Sequence, residues 1–172
     1  MMTDEQLMLD FQRGSKEAFT ELFARYRQPI YGYFRRRLAD AARAEELAQD
    51  TFLAVLKAVA RYEPRALFRT YLYGIAMFQL AAERRKAAHR EACLDASTVD
   101  PPAAGNTEGA VAVRQALAKL ASDEREVLIL REYEQLSYAE IAALQRVPVN
   151  TVRSRLFRAR MALRELLVSG GR

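Results

Sequence analysis

The sequence predicts an all-α protein made of two small helical domains joined by a flexible linker. Three observations support this prediction. Of the 172 residues, 51% are hydrophobic, apolar positions recur at helical spacing, and no segment alternates like a strand. A stretch with two prolines and two glycines interrupts the helical pattern, and a helix-turn-helix pattern follows it. The expected parts are a first domain at 1–91, a mildly acidic linker at 92–110 and a second domain at 111–172.

The first domain begins with two helices that have recognisable start signals. Thr3 and Gln6 form a capping-box pattern, and Ser15 is a candidate N-cap for the next helix. We expect this second helix to kink or restart at Pro29, because proline removes a backbone donor and clashes with the preceding turn. The side chains expected to face inward are Phe19, Leu22, Phe23 and Tyr26.

The third helical segment, AEELAQDTFLAVLKAVA, combines an apolar stripe with an acidic face. That face carries Glu45, Glu46, Gln49, Asp50 and Leu53. An acidic face is most simply a solvated one. Carboxylates one turn apart can also serve metal binding or acid–base chemistry, but no His or Cys lies nearby to complete a site, so we predict no metal. A third interpretation is a surface that docks another protein.

The following segment, RYEPRALFRTYLYGIAMFQLAAERRK, is rich in aromatic residues and arginines. Four rings fall within eleven positions, and two arginines precede or interleave them: Phe68, Tyr71, Tyr73 and Phe78, with Arg65 and Arg69. Aromatics at helical spacing are more often core than ligand platforms, yet four rings exceed what one buried stripe needs. Rings beside arginines suit single-stranded nucleic acid, because bases stack on rings and phosphates pair with cations.

Composition and cysteine content restrict the class of protein. A net charge of +5 favours a polyanionic partner. Cys93 and His89 are the only residues of their types, so we predict no disulfide, no metal site and no cofactor. No nucleophile–base pair is evident, which argues against an enzyme. Without a signal peptide or a long apolar run, we expect a cytoplasmic protein with no membrane insertion of its own.

Residues 136–167 predict a helix-turn-helix. Ser137 and Glu140 form a capping box, and Pro148 must end the first helix. If Arg146 takes a left-handed backbone in the turn, the strain is roughly 1 kcal/mol. Asn150 or Thr151 can cap the second helix. That helix buries one apolar stripe and presents five arginines without an acid between 153 and 164, so the alternatives are a DNA-reading helix and a helical hairpin with solvated arginines.

The order of these parts resembles the extracytoplasmic-function group of bacterial RNA polymerase sigma factors. AEELAQDTFLAVL is similar to the family's region-two helix, FRTYLYGIA to the segment that captures bases of the melted downstream promoter element, and YEQLSYAEIA with VPVNTVRSRLFRARMAL to region four. The resemblance covers residues 18–167. It implies three partners: core RNA polymerase, contacted at the clamp coiled coil of its largest subunit, promoter DNA and an anti-sigma factor.

The resemblance also implies roles for particular residues. The polymerase-docking residues would be Glu46, Gln49, Asp50 and Leu53. The residues at unpaired downstream bases would be Arg65, Phe68, Arg69, Tyr71 and Tyr73. The residues at the upstream element would be Asn150, Thr151, Arg153, Ser154, Arg155 and Arg158.

The chain departs from the family's pattern at several positions. The family usually has Trp at Tyr71, Asn at Phe78, a common Asp at Ala82 and Gly at Gln135. Two rival functions explain less of the sequence. A helix-turn-helix transcriptional regulator would leave the aromatic segment and the acidic face unexplained, and a sigma-mimicking interaction protein would not need a basic recognition helix.

Overall fold

The computed structural model describes residues 1–93 and 108–169, which form eight α-helices without a strand in those ranges. The helices are α1 (Asp4–Gln12), α2 (Lys16–Arg35), α3 (Ala41–Ala58), α4 (Phe68–Cys93), α5 (Glu108–Lys119), α6 (Ser122–Glu132), α7 (Tyr138–Gln145) and α8 (Val149–Ser169). A 3₁₀ turn, Val59–Arg61, follows α3. The all-α prediction is confirmed. In the described part of the chain, no helix has the length and apolarity needed to cross a membrane.

The helices belong to two compact units, α1–α4 and α5–α8. The helices reach slightly into the predicted linker, 92–110, because α4 ends at Cys93 and α5 begins at Glu108. The rest of that linker lies outside the described residues.

The start signals of α1 and α2 act as the sequence predicts. The Thr3 hydroxyl accepts the Gln6 N–H and the Gln6 side chain accepts the Thr3 N–H, which completes the capping box. The Ser15 hydroxyl accepts the Ala18 N–H at 3.2 Å. A restart of the helix at Pro29 is wrong, because α2 runs continuously through that residue, while a kink there stays a prediction. Packing of α2 against α1 and α3 supports the helix where proline removes one backbone donor.

Helix α4 is capped by a side chain of α1. Glu5 Oε1 accepts the Phe68 N–H at 2.7 Å, which satisfies one of the free donors at the start of α4. The Gln12 side-chain amide donates to the carbonyls of Val59, at 2.8 Å, and Tyr62, at 3.0 Å. Helix α1 therefore holds both ends of the segment that connects α3 to α4.

The second unit is organised around α8, which packs against α5, α6 and α7. Its core includes the fully buried Val127, Leu130, Leu136, Ile141, Val152, Leu156 and Ala159. The predicted cap of α8 is wrong, because α8 already begins at Val149, so neither Asn150 nor Thr151 caps it. Helix α6 begins at Ser122, and Ala121 precedes it without a side-chain cap.

Candidate functional site

The turn between α7 and α8 has helix-turn-helix geometry. Arg146 ends α7 in the left-handed region, with φ 55° and ψ 45°, so the condition for strain in this turn is met. The Val147 N–H then donates to the Ala142 carbonyl at 3.1 Å, which closes α7 as a Schellman motif. Gln135, where the family has Gly, also has a positive φ of 54°. Glycine adopts a left-handed backbone without strain, whereas both of these positions carry long side chains and are therefore strained.

The predicted DNA-reading residues lie on the first three turns of α8. Four of them are exposed and two are half-buried: Asn150, Arg153, Ser154 and Arg158 in the first group, and Thr151 and Arg155 in the second. The Ser154 hydroxyl donates to the Asn150 carbonyl at 2.9 Å. Arg153 makes no ion pair with any described residue, which leaves its guanidinium available to a phosphate or a base.

Arg155 and Arg158 are held by the first turn of α6. Arg155 Nη2 lies 2.8 Å from Asp123 Oδ2, and its Nη1 donates to Gln145 Oε1 at 3.1 Å. Arg158 Nε donates to Glu124 Oε1 at 2.9 Å. Sequence reasoning missed these pairs, because the partners are 32 and 34 residues apart in sequence.

Two of the residues predicted to hold unpaired bases lie in the core instead. Phe68 is 1% exposed and packs edge-on against Tyr26 at 5.6 Å between ring centroids. Tyr73 is 2% exposed and packs edge-on against Tyr33 at 5.7 Å. Neither ring presents a face to a base in this structure, because neighbouring rings from α2 occupy that space.

The other three predicted downstream residues lie at or near the surface. Arg65 is exposed and pairs with Glu63 at 2.5 Å, and Arg69 is half-buried. The Tyr71 ring is half-buried against Tyr62, at 5.3 Å between centroids. Burial raises the pKa of Tyr71, and burial raises the pKa of Tyr62 to about 12. Both phenols are therefore neutral at physiological pH and act as ring surfaces rather than as charges.

One aromatic residue of this segment that was not assigned a role is the most exposed. Phe78 is 71% exposed on α4. The departure from the family's Asn at this position was the sequence signal that could have drawn attention to it.

The predicted docking residues form one exposed face of α3. Glu46, Gln49, Asp50 and Leu53 all lie at the surface. Leu53 is 47% exposed, and Glu46 pairs with Arg43 at 2.5 Å.

A shallow groove of about 310 Å³ runs beside this face, between α2 and α3. Its lining includes Phe23, Tyr31, Gln49 and Phe52. Phe23 is 37% exposed and touches Phe52 edge-on at 4.9 Å. Sequence reasoning assigned Phe23 wholly to the core, because helical periodicity does not show where a core ends. The groove adds apolar area to an otherwise charged surface.

Comparison with known families identifies two separate regions of the chain. Residues 22–90 match the family model described as Sigma-70 region 2, and residues 110–163 match the model described as Sigma-70, region 4. The first match contains α3 and most of α4, and the second contains the helix-turn-helix through most of α8.

Individual proteins give the same result over nearly the whole chain. The RNA polymerase sigma-H factor of Pseudomonas aeruginosa is 34% identical, over 95% of this chain and 93% of its own length. The ECF RNA polymerase sigma-E factor of Salmonella typhimurium is 30% identical, over 94% of this chain and 93% of its own. A solved structure of the sigma factor RpoE from Bartonella quintana, in complex with the anti-sigma factor NepR, shares the fold. Its TM-score is 0.75 at 24% identity, over 87% of this chain and 96% of that one. The chain belongs to the extracytoplasmic-function group of RNA polymerase sigma factors.

Proposed function

We propose that this sigma factor docks on the clamp coiled coil of core RNA polymerase through the exposed face of α3. Glu46, Gln49, Asp50 and Leu53 present polar groups around one apolar side chain, which is the usual composition of a docking surface. The observation that carries the proposal is the 47% exposure of Leu53 beside the groove that Phe23 lines. A purely solvated acidic face would need neither an exposed leucine nor an adjacent apolar groove.

The helix-turn-helix reads the upstream promoter element. The N-terminal turns of α8 enter the major groove, where Asn150, Thr151 and Ser154 can hydrogen-bond to base edges. Arg153 neutralises a phosphate or contacts a base. Arg155 reaches DNA by exchanging the Asp123 carboxylate for a phosphate, since both of its terminal nitrogens are engaged. Arg158 contacts Glu124 through Nε alone, and its exposed terminal nitrogens can contact a phosphate directly.

The aromatic segment holds unpaired bases of the downstream element. Tyr71 offers its half-buried ring, and Arg65 and Arg69 supply cations for the phosphates. Phe68 and Tyr73 act beneath this surface, by packing that fixes the start of α4.

The protein acts in the cytoplasm, where polymerase and chromosome lie, by binding rather than by catalysis. An anti-sigma factor inhibits it by covering the polymerase- and DNA-binding surfaces. The complex of Bartonella quintana RpoE with NepR supports such a partner, since the two sigma chains share a fold.

Transcription with purified core RNA polymerase on promoter fragments from the source genome tests the proposal. Wild-type protein should produce transcripts from discrete start sites. The double variant Gln49→Ala/Asp50→Ala should lose them together with its affinity for core. Glu165→Ala, which changes an exposed carboxylate in the second unit, is the control and should behave as wild type.

Failure of the wild-type protein to bind core or to start transcripts would refute the proposal. Binding to palindromic duplex sites as a dimer would then favour a helix-turn-helix regulator. Binding to another sigma factor's inhibitor without DNA binding would favour a sigma mimic.

A further inference from the structure

Gln145 is a residue of the helix-turn-helix that the predicted DNA-reading set does not include. It is the last residue of α7, one position before the left-handed Arg146, and its side chain is half-buried. Gln145 Oε1 accepts a hydrogen bond from Arg155 Nη1 at 3.1 Å. Since α7 packs against α8, this hydrogen bond joins the two helices of the motif at one of the DNA-reading residues.

The Arg155 guanidinium has two partners, and each engages a different terminal nitrogen. Gln145 accepts from Nη1, and the Asp123 carboxylate lies 2.8 Å from Nη2. A guanidinium has five N–H donors in a planar fork and no acceptor, so these two contacts leave further donors free. A phosphate can therefore replace Asp123 at Nη2 while Gln145 keeps its hydrogen bond to Nη1.

The two partners of Arg155 respond differently to an approaching phosphate. The Asp123 side chain is charged and 68% exposed, so a phosphate repels it and water can solvate it when it leaves. The Gln145 amide is neutral and half-buried, and the turn after it is closed by the hydrogen bond from the Val147 N–H to the Ala142 carbonyl. We therefore expect the contact with Gln145 to persist on DNA and the contact with Asp123 to be lost.

We propose that Gln145 is a positioning residue for binding of the upstream element: it holds the Arg155 guanidinium in the orientation in which Nη2 meets a phosphate. An arginine side chain has several rotatable bonds, and ordering it on binding costs conformational entropy. A hydrogen bond that forms before DNA arrives and remains afterwards removes part of this cost. The role rests on the proposed function, because Gln145 acts through the DNA contact of Arg155.

The test measures binding of the holoenzyme, formed from core polymerase and the full-length protein, to a duplex with the upstream element of a promoter that it transcribes. The duplex ends before the downstream element, so that strand opening does not contribute. Gln145→Leu keeps the apolar part of the side chain and removes the acceptor, and it should weaken binding by about 2- to 10-fold. Gln115→Leu makes the same change at an exposed glutamine of α5 and should bind as the wild type does.

A double-mutant cycle distinguishes positioning from a general effect on the fold. In an Arg155→Ala background, Gln145→Leu should cause no further loss of binding, because the group that it positions is absent. In an Asp123→Asn background, Gln145→Leu should still cause its full loss, because Asp123 has already left Arg155 in the wild-type complex. A loss in the Arg155→Ala background as large as in the wild type would overturn the proposal.

The salt dependence of binding separates the two side chains further. Gln145→Leu removes no charge, so its salt slope should equal that of the wild type, whereas Arg155→Ala should reduce the slope by about one phosphate contact. The free energy of unfolding is measured for each variant by urea denaturation, so that a loss of stability is recognised.

The outcomes separate this inference from the proposed function. If the wild-type holoenzyme does not prefer the upstream duplex to a duplex of unrelated sequence, the proposed reading of the upstream element fails, and the inference fails with it. If the wild type shows this preference and Gln145→Leu binds equally well, the positioning role is refuted while the proposed function stands. If Gln145→Leu weakens binding only in proportion to a loss of stability, the contact is purely structural, which also refutes the positioning role.

Discussion

The Arg155 guanidinium lies 2.8 Å from the Asp123 carboxylate, so an arginine of the recognition helix is held by α6 when no DNA is bound. The Asp123 side chain is 68% exposed, and a pair so open to water contributes about 0–1 kcal/mol to stability. A phosphate can displace so weak a partner. The contact is therefore an exchangeable clamp, which orients Arg155 before DNA arrives.

Releasing this clamp should strengthen DNA binding. In Asp123→Asn, Arg155 is free to reach a phosphate and a negative charge near the DNA is removed. We expect tighter binding to a duplex with the upstream element and a salt dependence close to that of the wild type, since Arg155 contacts one phosphate in both complexes. Anisotropy titrations at several salt concentrations measure both. Glu165→Gln is the charge-matched control, and an unchanged affinity for Asp123→Asn would mean that the ion pair with Asp123 does not restrain Arg155.

The buried Glu83 should make the first unit sensitive to acid. Hydrogen bonding from Arg43 holds the pKa of Glu83 below its ordinary value of 4.5. The unfolded chain then takes up this proton first, so the stabilisation is present above about pH 4.5 and is lost as pH falls through the lower, folded pKa. Glu83→Gln should flatten this acid limb of the unfolding free energy, measured by urea denaturation at a series of pH values.

Removing the basic partner of Glu83 should be costlier. Arg43→Ala leaves a buried carboxylate with only Arg90, at 3.5 Å, and should lower the unfolding free energy by about 1–3 kcal/mol. Glu46→Gln, which alters the exposed partner of the same arginine, should have a smaller effect. If Arg43→Ala and Glu46→Gln lowered the unfolding free energy equally, the burial of Glu83 would not explain the cost.

The tertiary cap of α4 should be measurable as stability. Glu5→Ala removes the acceptor of the Phe68 N–H, and should lower the unfolding free energy by about 0.5–2 kcal/mol, the range for a helix cap. Glu5→Gln keeps an acceptor oxygen and should lose less. Thermal and urea denaturation of the full chain provide the measurement, with Glu63→Ala as an exposed control. No difference between Glu5→Ala and that control would exclude the cap.

The hydroxyl of Tyr62 should be dispensable. It is buried without a hydrogen-bond partner among the described residues, and burial raises its pKa to about 12. Tyr62→Phe removes an unsatisfied polar group and should be neutral or stabilising by up to about 1 kcal/mol near neutral pH. Because the folded pKa is raised, the wild-type protein also loses stability as pH rises from 10 toward 12. Tyr62→Phe should lose less over that range, and a destabilised variant at neutral pH would contradict this account.

Local signals predicted the helix-turn-helix well. The Ser137 and Glu140 capping box and the end of α7 before Pro148 depend on a few neighbouring residues, and both appear in the structure as the sequence predicts. The start of α1 at Thr3 follows from the same kind of signal.

Structural features that depend on contacts between residues distant in sequence could not be predicted. The burial of Phe68 and Tyr73 depends on which rings of α2 face α4. Helical spacing alone does not show which face of an aromatic-rich helix packs against the core. Pro29 did not break α2, because packing on both sides outweighed the lost backbone hydrogen bond. The ion pair between Arg155 and Asp123 joins residues far apart in sequence, so sequence patterns could not predict it. The role of this ion pair in DNA binding stays a prediction.

The residues that match the region 2 family model are fewer than the residues that form the first compact unit, because the unit also includes α1. The family match to region 2 begins at residue 22, beyond α1 altogether. Yet Glu5 and Gln12 hold the beginning of α4 and the segment before it. A protease that removed the first dozen residues would leave every matched position in place. It would nevertheless remove the buried Leu7 and Met8 from the core and the hydrogen bonds that hold the start of α4 and the segment before it. A fragment defined by the family match alone would therefore lack part of the fold it depends on.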